Sequence, residues 1–275
     1  LKPQGYELVD TFSSVETGAQ AFMCRNTKDK FAVLAFRGTE LSLKDIKADV
    51  KANLVEAQIG DKKFEMHSGY LKQFQSLQSQ IVATLNGPKL KNYQLFFTGH
   101  SLGGALAITA TRFLANDGTG ACYTFGSPPV GTAAFDIDIT TPIYRIINHV
   151  DIVPRLPNPT LIFVIRYSAM LVRIVLDTVG GFSKTIREST WYKKCAQLLS
   201  DAQKYRQSGY GSYLVGEGSS TRLRYSVGSF DRFIWWLKQW ANLWQGEFKL
   251  LSDHSIEAYS KKLAIWASYR QQQKP

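Results

Sequence analysis

A chain of 275 residues with 44% apolar and 20% charged residues can bury a full core as one domain. It has no low-complexity tract, fixed-period repeat or long like-charge block, which excludes solenoids, fibres and disordered tails. The net charge of +11 favours anionic partners, phospholipid head groups or nucleic acid, yet no nucleic-acid-binding motif accompanies it.

Three cysteines, Cys24, Cys122 and Cys195, are too few and too odd in number for a disulfide scaffold. No His/Cys/Asp spacing fits a metal site, and neither a metal nor a cofactor is expected. The chain opens Leu1-Lys2-Pro3 without a visible signal peptide; the expected location is secreted or peripheral to a membrane.

In chain order, Lys30 to Arg37 reads as a buried strand closed by Gly38-Thr39. Tyr70 to Leu85 reads as a helix with Leu71, Phe74, Leu77, Ile81 and Leu85 on one face, stopped by Asn86-Gly87-Pro88. Tyr93 to Thr98 is a second buried strand, and Ala105 to Ala115 a helix of small residues. Ala121 to Phe125 and Ile143 to Ile147 are two further strands. Alternating strand and helix imply an α/β fold, a mostly parallel sheet with helices on both faces.

After Pro159 the pattern changes. Leu161 to Phe182 is apolar apart from a stripe of Arg166, Arg173 and Asp177, and the arginines interrupt it too early for a membrane span. Ile186 to Gln207 reads as an amphipathic helix, and Gly209 to Val215 as a strand returning to the core. Phe230 to Phe248 is helical, with Phe233, Trp236, Leu237, Trp240 and Trp244 on one side. We read residues 1–275 as a single domain, with 160–208 a helical cap insertion and 230–248 a Trp-rich helix. The plainer reading is that these apolar faces simply pack on the sheet.

Gly99-His100-Ser101-Leu102-Gly103 fits a nucleophile elbow. The serine must sit on a strained strand-to-helix turn, so positions two before and two after it cannot carry bulky side chains. The pentapeptide alone is a weak signal; here it follows an apolar strand and opens a helix, the context that gives it meaning.

In such folds the chain order is serine, acid, histidine. His67 precedes Ser101 and His100 lies inside the elbow, which leaves His149 and His254. His149 would need Asp117, Asp136 or Asp138 as its acid. Asp117 ends a helix, and the other two lie at the wrong end of the strand Ile143 to Ile147. Asp151 lies just past that strand, at the carboxyl end where such sheets place chemistry. Asp151 as acid leaves His254 as base; the competing readings are a turn cap at Asp151 and an exposed helix start at His254. Two backbone donors should face the developing oxyanion. One is Leu102, the residue after the serine; the other belongs to the loop Phe36-Arg37-Gly38-Thr39, where the Thr39 hydroxyl can also donate.

Five segments together resemble the class 3, or fungal-type, lipase family of the α/β-hydrolase superfamily. They are Phe36-Arg37-Gly38-Thr39, His67-Ser68-Gly69-Tyr70, Gly99 to Ala107, Phe125-Gly126-Ser127-Pro128 and Asn148 to Pro154. The resemblance covers roughly residues 30–158 and the surroundings of His254. It implies Ser101, Asp151 and His254 as triad, Thr39 and Leu102 at the oxyanion hole, and triacylglycerol-type lipid esters as substrates. It also implies a lid at Glu40 to Val50, with Leu41, Leu43 and Ile46 as its apolar side. That segment has no tryptophan and is rich in Lys and Asp, which argues against interfacial activation through it.

The expected partners are a lipid ester and a membrane or lipid-droplet surface, with no nucleic acid. Alternatives are a phospholipase A acting on anionic membranes, a capped monoacylglycerol or short-chain esterase, and a non-catalytic membrane- or partner-binding protein on the hydrolase fold.

Overall fold

The computed structural model describes residues 5–38, 54–151, 153–155, 200, 204–228 and 252–273. An eight-stranded sheet carries the architecture. Its antiparallel flank is β1 (Tyr6–Ser13) and β2 (Gln20–Asn26), followed by β3 (Phe31–Phe36). With β4 (Leu54–Ile59), β5 (Lys62–His67) and β8 (Gly131–Thr132) set apart in a second sheet, β3 pairs directly with β6 (Gln94–His100). The large sheet continues through β7 (Thr119–Phe125), β9 (Ile143–Asn148) and β11 (Tyr210–Val215), and ends at β12 (Arg222–Arg224). Strands β3, β6, β7, β9 and β11 are mutually parallel, and β12 returns antiparallel at the edge. β6, central and paired on both sides, delivers the elbow.

Two helices fill one face. α1 (Ser68–Leu85) buries Tyr70, Phe74, Leu77 and Ile81, the stripe that helical spacing demands. His67 caps it: the ring Nδ1 accepts from the N–H groups of Gly69 at 3.1 Å and Tyr70 at 3.4 Å. α2 (Leu102–Leu114) is buried at every position from Leu102 to Thr111. Its glycines and alanines let it lie between α1 and the sheet. The buried Thr109 and Thr111 hydroxyls donate back to the carbonyls of Ala105 and Ala107 at 2.9 and 2.8 Å, so neither is left unpaired.

On β9, Ile143 joins the core beneath these helices, whereas Ile146, three residues on, faces the opposite side with Leu214 and Tyr259. A single turn, α3 (Ala133–Asp136), lies between β8 and β9. The opposite side is covered by α4 (Ile256–Gln272), whose Tyr259 is fully buried. Ser255 caps α4 by accepting from Ala258 N–H at 3.1 Å. At its far end the Arg222 guanidinium of β12 lies 3.6 Å over the Tyr269 ring, a cation–π contact that ties helix to sheet edge.

The second sheet runs β10-β8-β5-β4, where β10 is Tyr205–Arg206. This corrects the expected helix Ile186 to Gln207: its end is extended, because Tyr205 and Arg206 pair with Thr132 and Gly131 of β8. The strand expected from Gly209 forms as β11. The expected lid at Glu40–Val50, Thr39, nearly all of the 160–208 insertion and the 230–248 helix lie outside the described residues. Among the described residues, no helix is long and apolar enough to cross a membrane.

Candidate active site

β6 ends at His100 and α2 begins at Leu102, so Ser101 makes the whole turn between them. It does so at φ 56° and ψ −127°, a conformation that L residues rarely adopt. Its N–H is held by the Phe125 carbonyl at 2.9 Å. The flanking glycines are steric necessities. A Cβ on Gly99 would lie 2.1 Å from the Gly103 carbonyl oxygen, and one on Gly103 would lie 2.3 Å from that of Phe36. Gly104 instead faces the loop after β7, where a Cβ would come within 2.8 Å of the Ser127 Cβ.

From this turn a continuous hydrogen-bonded chain runs inward. Ser101 Oγ lies 2.7 Å from His254 Nε2, and His254 Nδ1 lies 2.7 Å from Asp151 Oδ2. The His254 and Asp151 side chains are wholly buried, while Ser101 keeps a small exposed fraction. Asp151 follows β9 and is fixed through both oxygens. Oδ1 accepts from Val153 N–H at 2.9 Å, and Oδ2 accepts a second bond from the Tyr259 hydroxyl at 2.6 Å. Since a carboxylate accepts only, His254 presents its Nδ1 proton to Asp151 and turns Nε2 toward the serine.

The structure thus brings together Ser101, Asp151 and His254, and sets Leu102 beside them. Leu102 is the first residue of α2, so its N–H has no acceptor within the helix. Thr39 lies outside the described residues. Its neighbour Gly38 packs on the elbow so closely that a Cβ there would sit 2.5 Å from the His100 carbonyl oxygen. The rejected residues are engaged elsewhere. His67 caps α1, His149 N–H donates to the Leu214 carbonyl, and Asp138 pairs with Lys62 at 2.8 Å. Burial pushes the Asp136 carboxyl above its ordinary range.

Four residues escaped sequence reasoning. Tyr259 Oη accepts from Asn148 N–H at 2.9 Å while it donates to Asp151, so one hydroxyl joins the end of β9 to the acid. The Asn148 side chain donates to the Asp253 carbonyl and accepts from Lys262 Nζ, each at 2.8 Å, which locks the His254 turn and α4 onto the sheet. Desolvation holds the Lys262 ammonium below its usual pKa. The fourth, His100, lies 2.6 Å through Nε2 from the His254 carbonyl oxygen. Burial, and then the neighbouring His254 imidazole, lower its pKa to about 4. The one available signal was a tyrosine five residues beyond the candidate base, on a helix. Gly126 closes the site: at φ 61° it passes the triad where a Cβ would lie 2.9 Å from Asp151 Oδ2 and 3.0 Å from His254 Cε1. Among the described residues no acidic, histidine or cysteine cluster is arranged to hold a metal ion.

A mostly parallel sheet with a strained serine between its central strand and the next helix, and with an acid and a histidine delivered from later strand and helix ends, is the architecture of the α/β-hydrolase fold. Residues 33–161 match the family described as lipase (class 3). It is 30% identical over 162 residues to secreted mono- and diacylglycerol lipase 1 of Fusarium solani, covering 54% of this chain and 46% of that protein. A lipase of Rhizomucor miehei is 30% identical over 163 residues, 55% of this chain and 44% of its own length. The chain therefore spans about half the length of the curated relatives it matches. In fold it resembles lipase II of Rhizopus niveus, with a TM-score of 0.59 and 20% identity over 81% of this chain and 72% of the other.

Proposed function

We propose that this chain is a carboxylic ester hydrolase acting on acylglycerols through an acyl-enzyme. The observation that carries the reading is the buried Ser101–His254–Asp151 hydrogen-bond chain, set on an elbow whose strain only a defined turn sustains. Ser101 Oγ attacks the ester carbonyl while His254 Nε2 takes its proton; the proton then passes to the departing alcohol. Water, deprotonated by the same imidazole, releases the fatty acid and restores Ser101. Asp151 holds the imidazole in the required tautomer and stabilises its charged form. The Leu102 N–H, with the Thr39 backbone or hydroxyl as second donor, takes the oxyanion. Acylglycerols are favoured by the relative from Fusarium solani, a mono- and diacylglycerol lipase.

Turnover of p-nitrophenyl esters by the chain, abolished by Ser101→Ala, is the expected result; no turnover by either protein would end the enzyme reading. The net charge of +11 favours a second reading, attack on phospholipid at an anionic surface. A panel of acylglycerols against phosphatidylglycerol, with and without anionic vesicles, separates the two. The 160–208 insertion and the 230–248 helix are proposed to contribute an apolar, interface-seeking surface. Deleting residues 160–208 with no change in long-chain activity would refute that role for the insertion.

A further inference from the structure

Within the catalytic reading proposed above, Asn148 holds the turn of the base at the Asp253 carbonyl, and the carbonyl of His254 itself is held from a second side. His254 ends a short turn, Ser252–His254, and the ladder of α4 begins only afterwards: the Ser255 carbonyl accepts from Tyr259 N–H at 3.2 Å. The His254 carbonyl therefore lies outside the helix and needs a donor from elsewhere. His100 supplies it, Nε2 to oxygen, at 2.6 Å. A backbone carbonyl only accepts, so His100 Nε2 carries the proton. The His100 ring also lies against the His254 ring, centroids 4.7 Å apart at 35°, and meets the edge of Tyr259 at 5.6 Å.

We propose that His100 is a positioning residue for His254: by holding the carbonyl of the base from the elbow side, it keeps Nε2 within reach of Ser101 Oγ. The strand that presents the nucleophile thereby also places the base, in adjacent residues. Serine and imidazole are then referenced to one rigid element, although 153 positions separate them in sequence. His100 performs this work as a neutral ring, which suits its place. A charged ring in contact with His254 would repel the imidazolium that forms when Ser101 gives up its proton. The charged and titratable groups bearing on His100 are His254, Asp151 and Glu257.

The test compares His100→Leu, which has no donor, with His100→Gln, whose amide N–H can reach the same carbonyl. Ester hydrolysis should show kcat lowered about 10- to 100-fold in His100→Leu, the order expected for a base displaced by a fraction of an ångström to an ångström, with KM within about twofold. His100→Gln should regain most of that loss. Thermal unfolding of both variants reports how much of any loss is instability alone. Equal kcat in the two variants, whether both reduced or both unchanged, overturns the proposal.

A second readout is independent of turnover. The downfield proton NMR signal of the His254 Nδ1–H, shared with Asp151, should persist in His100→Gln and broaden or shift in His100→Leu. If the wild-type chain hydrolyses no ester, that signal alone decides the placement, and the catalytic reading fails separately. An unchanged signal in His100→Leu refutes the positioning role.

Discussion

Replacing Tyr259 by phenylalanine removes one oxygen and leaves the ring, which packs edge-on against Phe125 with centroids 6.4 Å apart. That oxygen makes two bonds in a fully buried place, donating to Asp151 Oδ2 at 2.6 Å and accepting from Asn148 N–H at 2.9 Å. An orphaned buried N–H costs about 1–3 kcal/mol, and a hydrogen bond to a charged carboxylate is worth about 1.5–3 kcal/mol. The two overlap because neighbours relax, so the expected loss of stability is about 2–4 kcal/mol. For a domain of this size that lowers Tm by roughly 5–15 °C. Asp151 would keep its bonds to Val153 and His254, so kcat should fall about 10-fold, far short of the loss from removing the acid, with KM unchanged. Thermal and urea unfolding, read beside ester kinetics, check both numbers. A Tyr259→Phe protein as stable and as fast as wild type would show that the hydroxyl neither supports α4 nor steadies the acid.

Three further outcomes are expected. Gly99→Ala forces a methyl to 2.1 Å from the Gly103 carbonyl oxygen, so it should destabilise by about 3 kcal/mol or more, or prevent folding; soluble yield and Tm report it. His100 is half-buried and neutral, its pKa lowered to about 4 from 6.5, so the unfolded chain protonates first as pH falls. Its contribution is complete above pH 6.5 and is lost between there and pH 4, up to about 3 kcal/mol. Urea unfolding at pH 7 and pH 4.5 should show that drop, and His100→Gln should lack it. Burial raises the thiol pKa of Cys24, and that of Cys122 to about 12, so peptide mapping after iodoacetamide at pH 8 should find both unmodified until urea is added.

The legible parts of the chain were those in which one local pattern carries both structure and chemistry. Gly99 and Gly103 announce the elbow because their missing side chains are a steric requirement visible in five letters. Asp151 and His254 followed from strand polarity and from a supply of only four histidines. The antiparallel flank was not legible: β1 has an irregular register between Leu8 and Asp10 and a mostly exposed face, so its alternation is broken. Tyr205–Arg206 is too short for any periodicity, and only pairing with β8 makes it a strand. Tyr259, Asn148 and His100 act through contacts with partners 108, 105 and 154 positions away, separations at which spacing carries no information.

The distance in sequence between elbow and base has a consequence for how the molecule comes into being. During synthesis at about 5–20 residues per second, Ser101 emerges roughly 8–30 s before His254. In that interval the sheet through β9 can form with a strained serine and an acid at its carboxyl edge but no imidazole between them. Only when α4 docks do Asn148, Asp151 and His100 acquire the partners that this helix and the turn before it bring. A premature stop after β12 and before residue 254 would leave every strand of the large sheet encoded and no imidazole beside Ser101.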